Sequence, residues 1–420
     1  MLDESLLDAP EELARADAHG LLRGAAEAGA RVRTGLRYAM EAGLTRLQPD
    51  GRPRGVLVAG PGPTTACVSE TLAALSNGSV PVTLLRPTGR QAAPGALRWS
   101  LPGWAGPLDL VLLVTSDGAE PGLAALVDQA YRRGCTVVAV APGQAPLADA
   151  IGETRGLAVP LAPGPYARYE TPEAPRPSDL PPPPEAAAVP VAPLTAPETA
   201  GEGSGPRLPA GPPPVAPGTL WALLTPLLLL LDRLGLVQAG ASDLESLADR
   251  LDEVAERCGP AIAPYSNPGK TLAAELAGAL PLLWSEGGVA DVAARHWAAA
   301  FAALPGKPAL TAGLPEAMTA HGALLAGGFA AASDPDDFFR DRVEEPEALH
   351  ARVVLLREAA PAGDSATVAA RDMAYANDTP LSELEPAEGS SPLEAAAELI
   401  ATADFAAVYL TLADSDSPWA

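Results

Sequence analysis

Lysine is almost missing from this chain of 420 residues: only Lys270 and Lys307 are present. Any chemistry that needs a lysine amine is confined to those two positions, and the abundance of Arg, Ala, Gly and Pro reads as a compositional bias of the source. Cysteine is scarce as well. Cys67, Cys135 and Cys258 stand far apart with no C-x-x-C spacing, which argues against a disulfide framework or a zinc cluster and fits a reducing cytoplasm. Aromatics make up 4% against 48% hydrophobic residues, so the core is expected to be Ala, Leu and Val in a soluble globular protein. Positive charge is in deficit, with a formal net charge of -24. Nucleic acid and anionic lipid are bound through clustered Lys and Arg, so neither is expected as a partner. The longest apolar run, LWALLTPLLLLL from Leu220 to Leu231, is broken by Pro226 and too short to span a bilayer, and it reads as a buried helix. The acidic, helical N-terminus has no charged-then-apolar leader pattern, which again points to the cytoplasm and away from a membrane.

Residues 3 to 46 alternate apolar and charged positions at helical spacing and predict one or two amphipathic helices. The period then changes. GVLVAG (55 to 60), PVTLL (81 to 85), LDLVLLV (108 to 114) and CTVVAV (135 to 140) are short apolar runs, with helical stretches at Thr64 to Leu75 and Gly122 to Arg133 between them. Fully apolar strands alternating with helices predict a parallel sheet covered on both faces. Residues 163–217 hold 18 of the 47 prolines and few large apolar side chains, a composition that predicts a disordered insert; recognition through polyproline II is the alternative. Helices near 219 to 236 and 243 to 257 follow. NPGKTLAAELAGA predicts a helix, LPLLW a strand, GVADVAARHWAAAFAAL a helix, ARVVLL (351 to 356) a strand, and LEAAAELIATADFAAVYL closing helices. The fold class is α/β, with two related halves: N-terminal helices at 1–50 packing on the first domain, that domain at 51–160, the insert at 163–217 and a second domain at 218–420.

Taken in order, these segments resemble the bifunctional phosphoglucose/phosphomannose isomerases, built from two sugar isomerase (SIS) domains, of which the chain looks like a divergent member. VLVAGPGPTTACV is similar to that family's first glycine-rich loop. VTSDGAEPGLAALVDQAYRRGCTVVAV is similar to its phosphate-loop strand, helix and next strand, and NPGKTLAAELAGALPLLW to its N-x-A-K-x-L-A helix and strand. ARHWAAAFAAL stands at the place of an Arg-Trp-led helix, LPEAMTAHGALLAG at that of a Pro-Glu segment leading to a histidine, and ADFAAVYLTLA at that of a late Asp-Phe-x-x-x-Tyr-Leu helix. The resemblance implies two SIS-type domains, each a parallel sheet flanked by helices, a sugar phosphate or related small molecule as partner, no cofactor or metal, and a homodimer.

It also implies a set of site residues. Gly60, Gly62, Thr64 and Thr65 form the first loop, where the two threonines either donate to a phosphate or N-cap the following helix. Thr115, Ser116 and Gly118 belong to the phosphate loop, which reads Ser-x-Ser-Gly-Asn-Thr in the family; here Asp117 and Glu120 replace two hydroxyl positions. A carboxylate about 4 Å from a phosphate repels it by roughly a few kcal/mol. The Asp117-to-Glu120 spacing is that of a helix capping box, with Pro121 suited to the first turn, so the chain is expected to supply its own anion to this helix end. Arg295 is the counterpart of the family's arginine, and Asn267 and Lys270 match positions that fix a helix start. His321 stands about where the ring-opening histidine belongs and Glu316 is a substitute base, whereas the usual base position falls near Ala303 and the C-terminal lysine is absent. The acidic segment 332 to 347 has no His or Cys at ligand spacing and predicts a solvated loop able to dock Phe338 and Phe339 on a partner.

Three functions follow from these residues. One is a SIS protein that binds a sugar phosphate or other carbohydrate derivative, in a binding or regulatory role, without efficient catalysis. A second is an active aldose–ketose isomerase using His321 with Glu316 or a base from a second subunit. A third is an interaction scaffold that recruits partners through the proline-rich insert.

Overall fold

The computed structural model describes residues 4–47, 51–89, 96–154, 156–161, 216–326, 350–360, 363 and 365–414. The proline-rich insert, but for its last two residues, and the acidic segment 332 to 347 lie outside the described residues. The chain opens with helices α1 (Glu4–Leu7), α2 (Pro10–Ala16), α3 (Leu21–Ala26) and α4 (Ala28–Glu41). This is more than the one or two helices expected, and the breaks have local causes. Pro10 cannot extend the ladder of α1, and Gly20 takes φ of +69° while the Asp17 carboxylate accepts the amides of Leu21 (2.6 Å) and Leu22 (3.0 Å) to start α3.

A first alternating array runs β1 (Gly55–Ala59), α5 (Gly62–Leu75), β2 (Val82–Leu85), β3 (Asp109–Val114), α6 (Pro121–Arg132), β4 (Thr136–Ala141), α7 (Pro146–Glu153) and β5 (Leu157–Pro160). Helices α8 (Thr219–Arg233), α9 (Ala241–Arg257) and α10 (Pro268–Leu276) lead into the second array. It comprises β6 (Ala279–Glu286), α11 (Gly288–Ala303), β7 (Leu310–Gly313), α12 (Glu316–Ala326), β8 (His350–Arg357), α13 (Thr367–Ala376), β9 (Leu381–Leu384) and α14 (Pro392–Leu412). All pairings between these strands are parallel, in the orders β2-β1-β3-β4-β5 and β7-β6-β8-β9. The expected α/β architecture of two helix-flanked parallel sheets is what the chain adopts.

Strand parity assigns the layers. Val56 and Val58 of β1, Leu110, Leu112 and Val114 of β3, Leu283 of β6, and Val354 and Leu356 of β8 all point into one shared core with α4, α8, α11 and α14. The alternate residues face outward. Leu57, Val111 and Leu113 pack under α6 and α7, and Leu282, Trp284, Val353 and Leu355 under α12 and α13. The two sheets therefore sandwich one helical layer, and each Leu or Val so buried contributes about 1.5–3 kcal/mol. Helix α8, within the range 218–420, packs against α4, α5 and β4, while α3 and α9 pack against α14. Helix α14 is long and apolar enough to cross a membrane by composition, yet its apolar window is wholly buried and forms the centre of this layer. It begins with a true capping box: Ser391 Oγ accepts the Glu394 amide at 3.3 Å and the Glu394 carboxylate accepts the Ser391 amide at 2.8 Å.

Candidate functional site

In both sheets the strand order reverses beside a central strand, between β1 and β3 and between β6 and β8, and crevices at such points are where open α/β sheets bind ligands. At the first reversal the segment after β1 runs against the end of β3. A Cβ on Gly60 would stand 2.0 Å from the Val114 carbonyl oxygen, so the two loops touch through backbone alone. Gly62 opens α5, exposed, and Pro61 is the N-cap residue with no side-chain cap. Neither threonine caps this helix. The buried Thr65 hydroxyl donates back to the Pro61 carbonyl at 2.9 Å, while Thr64 stays half-buried one position earlier.

The turn after β3 overturns the capping-box expectation. Thr115 Oγ1 donates to Asp117 Oδ1 (2.9 Å) and accepts the Gly118 amide (3.0 Å), and Asp117 Oδ1 also accepts the Ala119 amide (3.2 Å). Asp117 therefore closes its own turn instead of capping α6. Glu120 occupies the N-cap position and makes no capping bond. Thr115 is buried and fully engaged, Ser116 is exposed, and Gly118 takes φ of +65° with Ala145 standing where a Cβ would have to go. Gly118→Ala would place a Cβ 2.4 Å from that of Ala145 in an unfavourable backbone region, and urea unfolding should show a loss of about 1–3 kcal/mol.

The second reversal is already filled by the chain. Glu358 accepts the amides of Val289 (2.5 Å) and Ala290 (3.3 Å) at the start of α11. Glu286 accepts from the Ser365 hydroxyl (2.8 Å), the Thr367 hydroxyl (3.0 Å) and the Ala366 amide (2.9 Å) at the start of α13. Burial works against the Glu286 charge, but these donors hold its pKa below the usual carboxylate range. Helix N-termini attract anions, and here two side-chain carboxylates have taken both places.

One open space lies at the first sheet, where α5 meets α11 across the two halves. A cleft of about 290 Å³ is lined by Thr64, Cys67 and Glu70 of α5, Arg295 and His296 of α11, and Arg86 beyond β2, among others. Arg295 is anchored by Glu70 (2.8 Å) and Asp291. His296 Nε2 lies 2.7 Å from Asp404 Oδ1 of α14, with both side chains buried. Burial alone would depress the imidazole pKa, but the Asp404 carboxylate and the Cys67 thiol raise it to about 10, so the ring is charged at neutral pH.

Of the residues expected from sequence, Thr64 and Arg295 meet in this cleft. Thr115, Ser116 and Gly118 sit in the neighbouring turn. His321 and Glu316 lie apart from it on α12: Glu316 is exposed at the helix start, and His321 is buried under the second sheet, where Nδ1 accepts the Trp284 indole N–H at 2.9 Å. Burial lowers its pKa and leaves the ring neutral. Asn267 caps α10 by accepting the Lys270 amide at 3.0 Å. Cys67, Glu70, Arg86 and His296 were not singled out from sequence, although Thr64, Cys67 and Glu70 recur every three residues and mark one face of α5. Among the described residues no group of three or more His, Cys, Asp or Glu is placed to hold a metal ion.

Residues 265–418 match the model of the bacterial phospho-glucose isomerase C-terminal SIS domain. Among solved structures, a candidate phosphosugar isomerase from Clostridium difficile 630 superposes with a TM-score of 0.54 at 10% identity, covering 95% of this chain and 95% of that one. The chain shares the fold of that phosphosugar-isomerase-like structure, and its residues 265–418 match a SIS domain. A hypothetical protein from Thermus thermophilus gives 0.53 at 14% identity over 99% and 92% of the two chains. A candidate sugar-binding protein from Salmonella typhimurium LT2 gives 0.51 at 13% identity over 92% and 99%. No curated protein matches the chain. The first reversal point and its cleft stand at the carboxyl edge of the first parallel sheet.

Proposed function

We propose that this chain binds a sugar phosphate or related carbohydrate derivative in the cleft between α5 and α11, as a divergent relative of the bifunctional phosphoglucose/phosphomannose isomerases, and does not isomerise it efficiently. The observation that carries the reading is one open cleft beside the start of α5 lined by the Arg86 guanidinium, the Thr64 hydroxyl and Arg295, whose guanidinium is held in place by Glu70 and Asp291. Guanidinium forks and helix-start amides suit a phosphate ester. The domain-model match over 265–418 and the sugar-related neighbours support the same ligand class.

Isomerisation needs a base that moves a proton between adjacent carbons, and loss of a positioned base costs about 10²- to 10⁴-fold. Position 303 on α11 is alanine, and the carboxylate that does line the cleft, Glu70, is engaged by Arg295. In this reading the protein works in the cytoplasm as a homodimer. A panel of hexose 6-phosphates should raise the thermal midpoint, since a ligand at 100 times Kd stabilises by about 2.7 kcal/mol. Arg295→Ala and Arg86→Ala should each abolish the shift. Absence of any shift in the wild type would refute the binding reading, and robust turnover of glucose or mannose 6-phosphate would refute its non-catalytic part.

A further inference from the structure

The charges around the cleft are unevenly matched. Arg295 gives its Nε to Glu70 at 2.8 Å and its Nη1 to Asp291, so one guanidinium stands between two carboxylates and the three groups carry a net single negative charge. His296 is matched by Asp404. Arg86 is exposed and has no carboxylate within ion-pair distance among the described residues. A dianionic phosphate set against Arg295 meets two like charges, whereas at Arg86 it meets an uncompensated cation. Charge therefore sends the phosphate to Arg86.

Glu70 is left with a different use. Its Oε2 accepts from Arg295, its Oε1 makes no hydrogen bond with the described residues, and the side chain, 27% exposed, lines the cleft. An ionised carboxylate only accepts hydrogen bonds, and a hydroxyl group donates one. Arg295 has its Nη2 unengaged among the described residues, so an acceptor and a donor lie side by side, the complement of two neighbouring hydroxyls. Thr64 and Glu70 are six residues apart on α5, about 9 Å along the helix axis, which is comparable with the length of a hexose phosphate.

We propose, on the phosphate-ester reading of the cleft, that Glu70 is its specificity-determining residue. With the phosphate on Arg86, the Glu70 carboxylate accepts the hydroxyls of the ligand, so the cleft takes a polyhydroxylated phosphate ester in preference to an alkyl phosphate. The two arginines do unequal work. Arg86 holds the charge of the ligand, while Arg295 holds Glu70 in place and donates beside it.

The test measures binding to the full chain by calorimetry with glucose 6-phosphate and n-hexyl phosphate, which share the phosphate and the number of carbons. The wild type is expected to bind glucose 6-phosphate at least about 10-fold more tightly, the difference that one hydrogen bond to a charged acceptor supplies. Glu70→Gln should weaken glucose 6-phosphate by about 10-fold and strengthen hexyl phosphate, because a like charge has been removed from beside the ligand. A merely structural role for Glu70 would weaken both. Arg86→Ala should weaken both ligands together. If Glu70→Gln does not fold, Glu70→Asp, which keeps the charge and withdraws it by one methylene, should lose the preference for the sugar. Equal affinities in the wild type, tighter binding of hexyl phosphate, or parallel losses in the Glu70 variant overturn the proposal and leave the phosphate-ester reading standing; binding of neither ligand overturns both.

Discussion

Asp404→Ala is expected to destabilise the folded chain by about 3–5 kcal/mol, the cost of stripping a buried charge of its partner. The His296 imidazolium is 5% exposed in the central helical layer, and the Asp404 carboxylate meets it at 2.7 Å. The pair also gives stability a pH dependence with a definite sign. The folded pKa of His296, about 10, stands above its ordinary 6.5, so the folded state holds this proton more tightly than the unfolded chain does. The stabilisation is complete below pH 6.5 and is lost as pH rises towards 10, with a slope of at most about 1.4 kcal/mol per pH unit. Urea melts across that range should show the decline. Asp404→Asn keeps the shape and removes the charge, leaving burial as the dominant influence on the ring. In that variant the His296 pKa should fall towards its ordinary 6.5, so the decline between pH 6.5 and 10 should be largely lost. An Asp404→Asn profile that still declines between pH 6.5 and 10 would show that another group is responsible.

Much of the architecture was legible because the central strands are buried on both faces. GVLVA, DLVLLV and TVVAVA are continuous apolar runs, and each proved to be an inner strand of the first sheet. The edge strands β7 and β9, and β5 at the other sheet's rim, were missed because they are four residues long and only half-buried, so neither length nor alternation distinguishes them. The site was less legible. Thr64 and Arg295 were found by resemblance, but the pair formed by His296 and Asp404 joins residues 108 positions apart, which no local pattern encodes. The carboxylates misled in an instructive way. Asp117 and Glu120 have capping-box spacing, yet the Thr115 hydroxyl reaches the turn amides first, and Asp117 bonds to that hydroxyl and to its own loop. Self-supplied anions do occur, at α11 and α13, through Glu358 and Glu286. Each reaches its helix start from a neighbouring strand end, so helix-cap spacing does not reveal them.

The second large effect is expected from Lys270→Met, at about 3–5 kcal/mol in urea unfolding. Lys270 is 1% exposed, and its ammonium donates to three carbonyls, those of Leu7 (2.6 Å), Pro260 (2.7 Å) and Ile262 (2.9 Å), 5.6 Å from the Tyr409 ring. A hydrogen bond from a charged donor contributes about 1.5–3 kcal/mol, and a buried acceptor left unsatisfied costs about 1–3. Removing the ammonium also removes its own desolvation penalty, which is why the net effect is far below the sum of three bonds. Methionine keeps nearly the same volume, so no large cavity contributes. The Leu7 carbonyl is the tie between the end of α1 and the segment before α10, and amide exchange in α1 should accelerate more than the global loss accounts for. The pH arm has the opposite sign to that of His296. Burial holds the folded Lys270 pKa below 10.5, so its contribution is present above 10.5 and lost as pH falls through the folded pKa. The methionine variant should therefore lose the upward limb near pH 10.5 while keeping the decline that begins at pH 6.5.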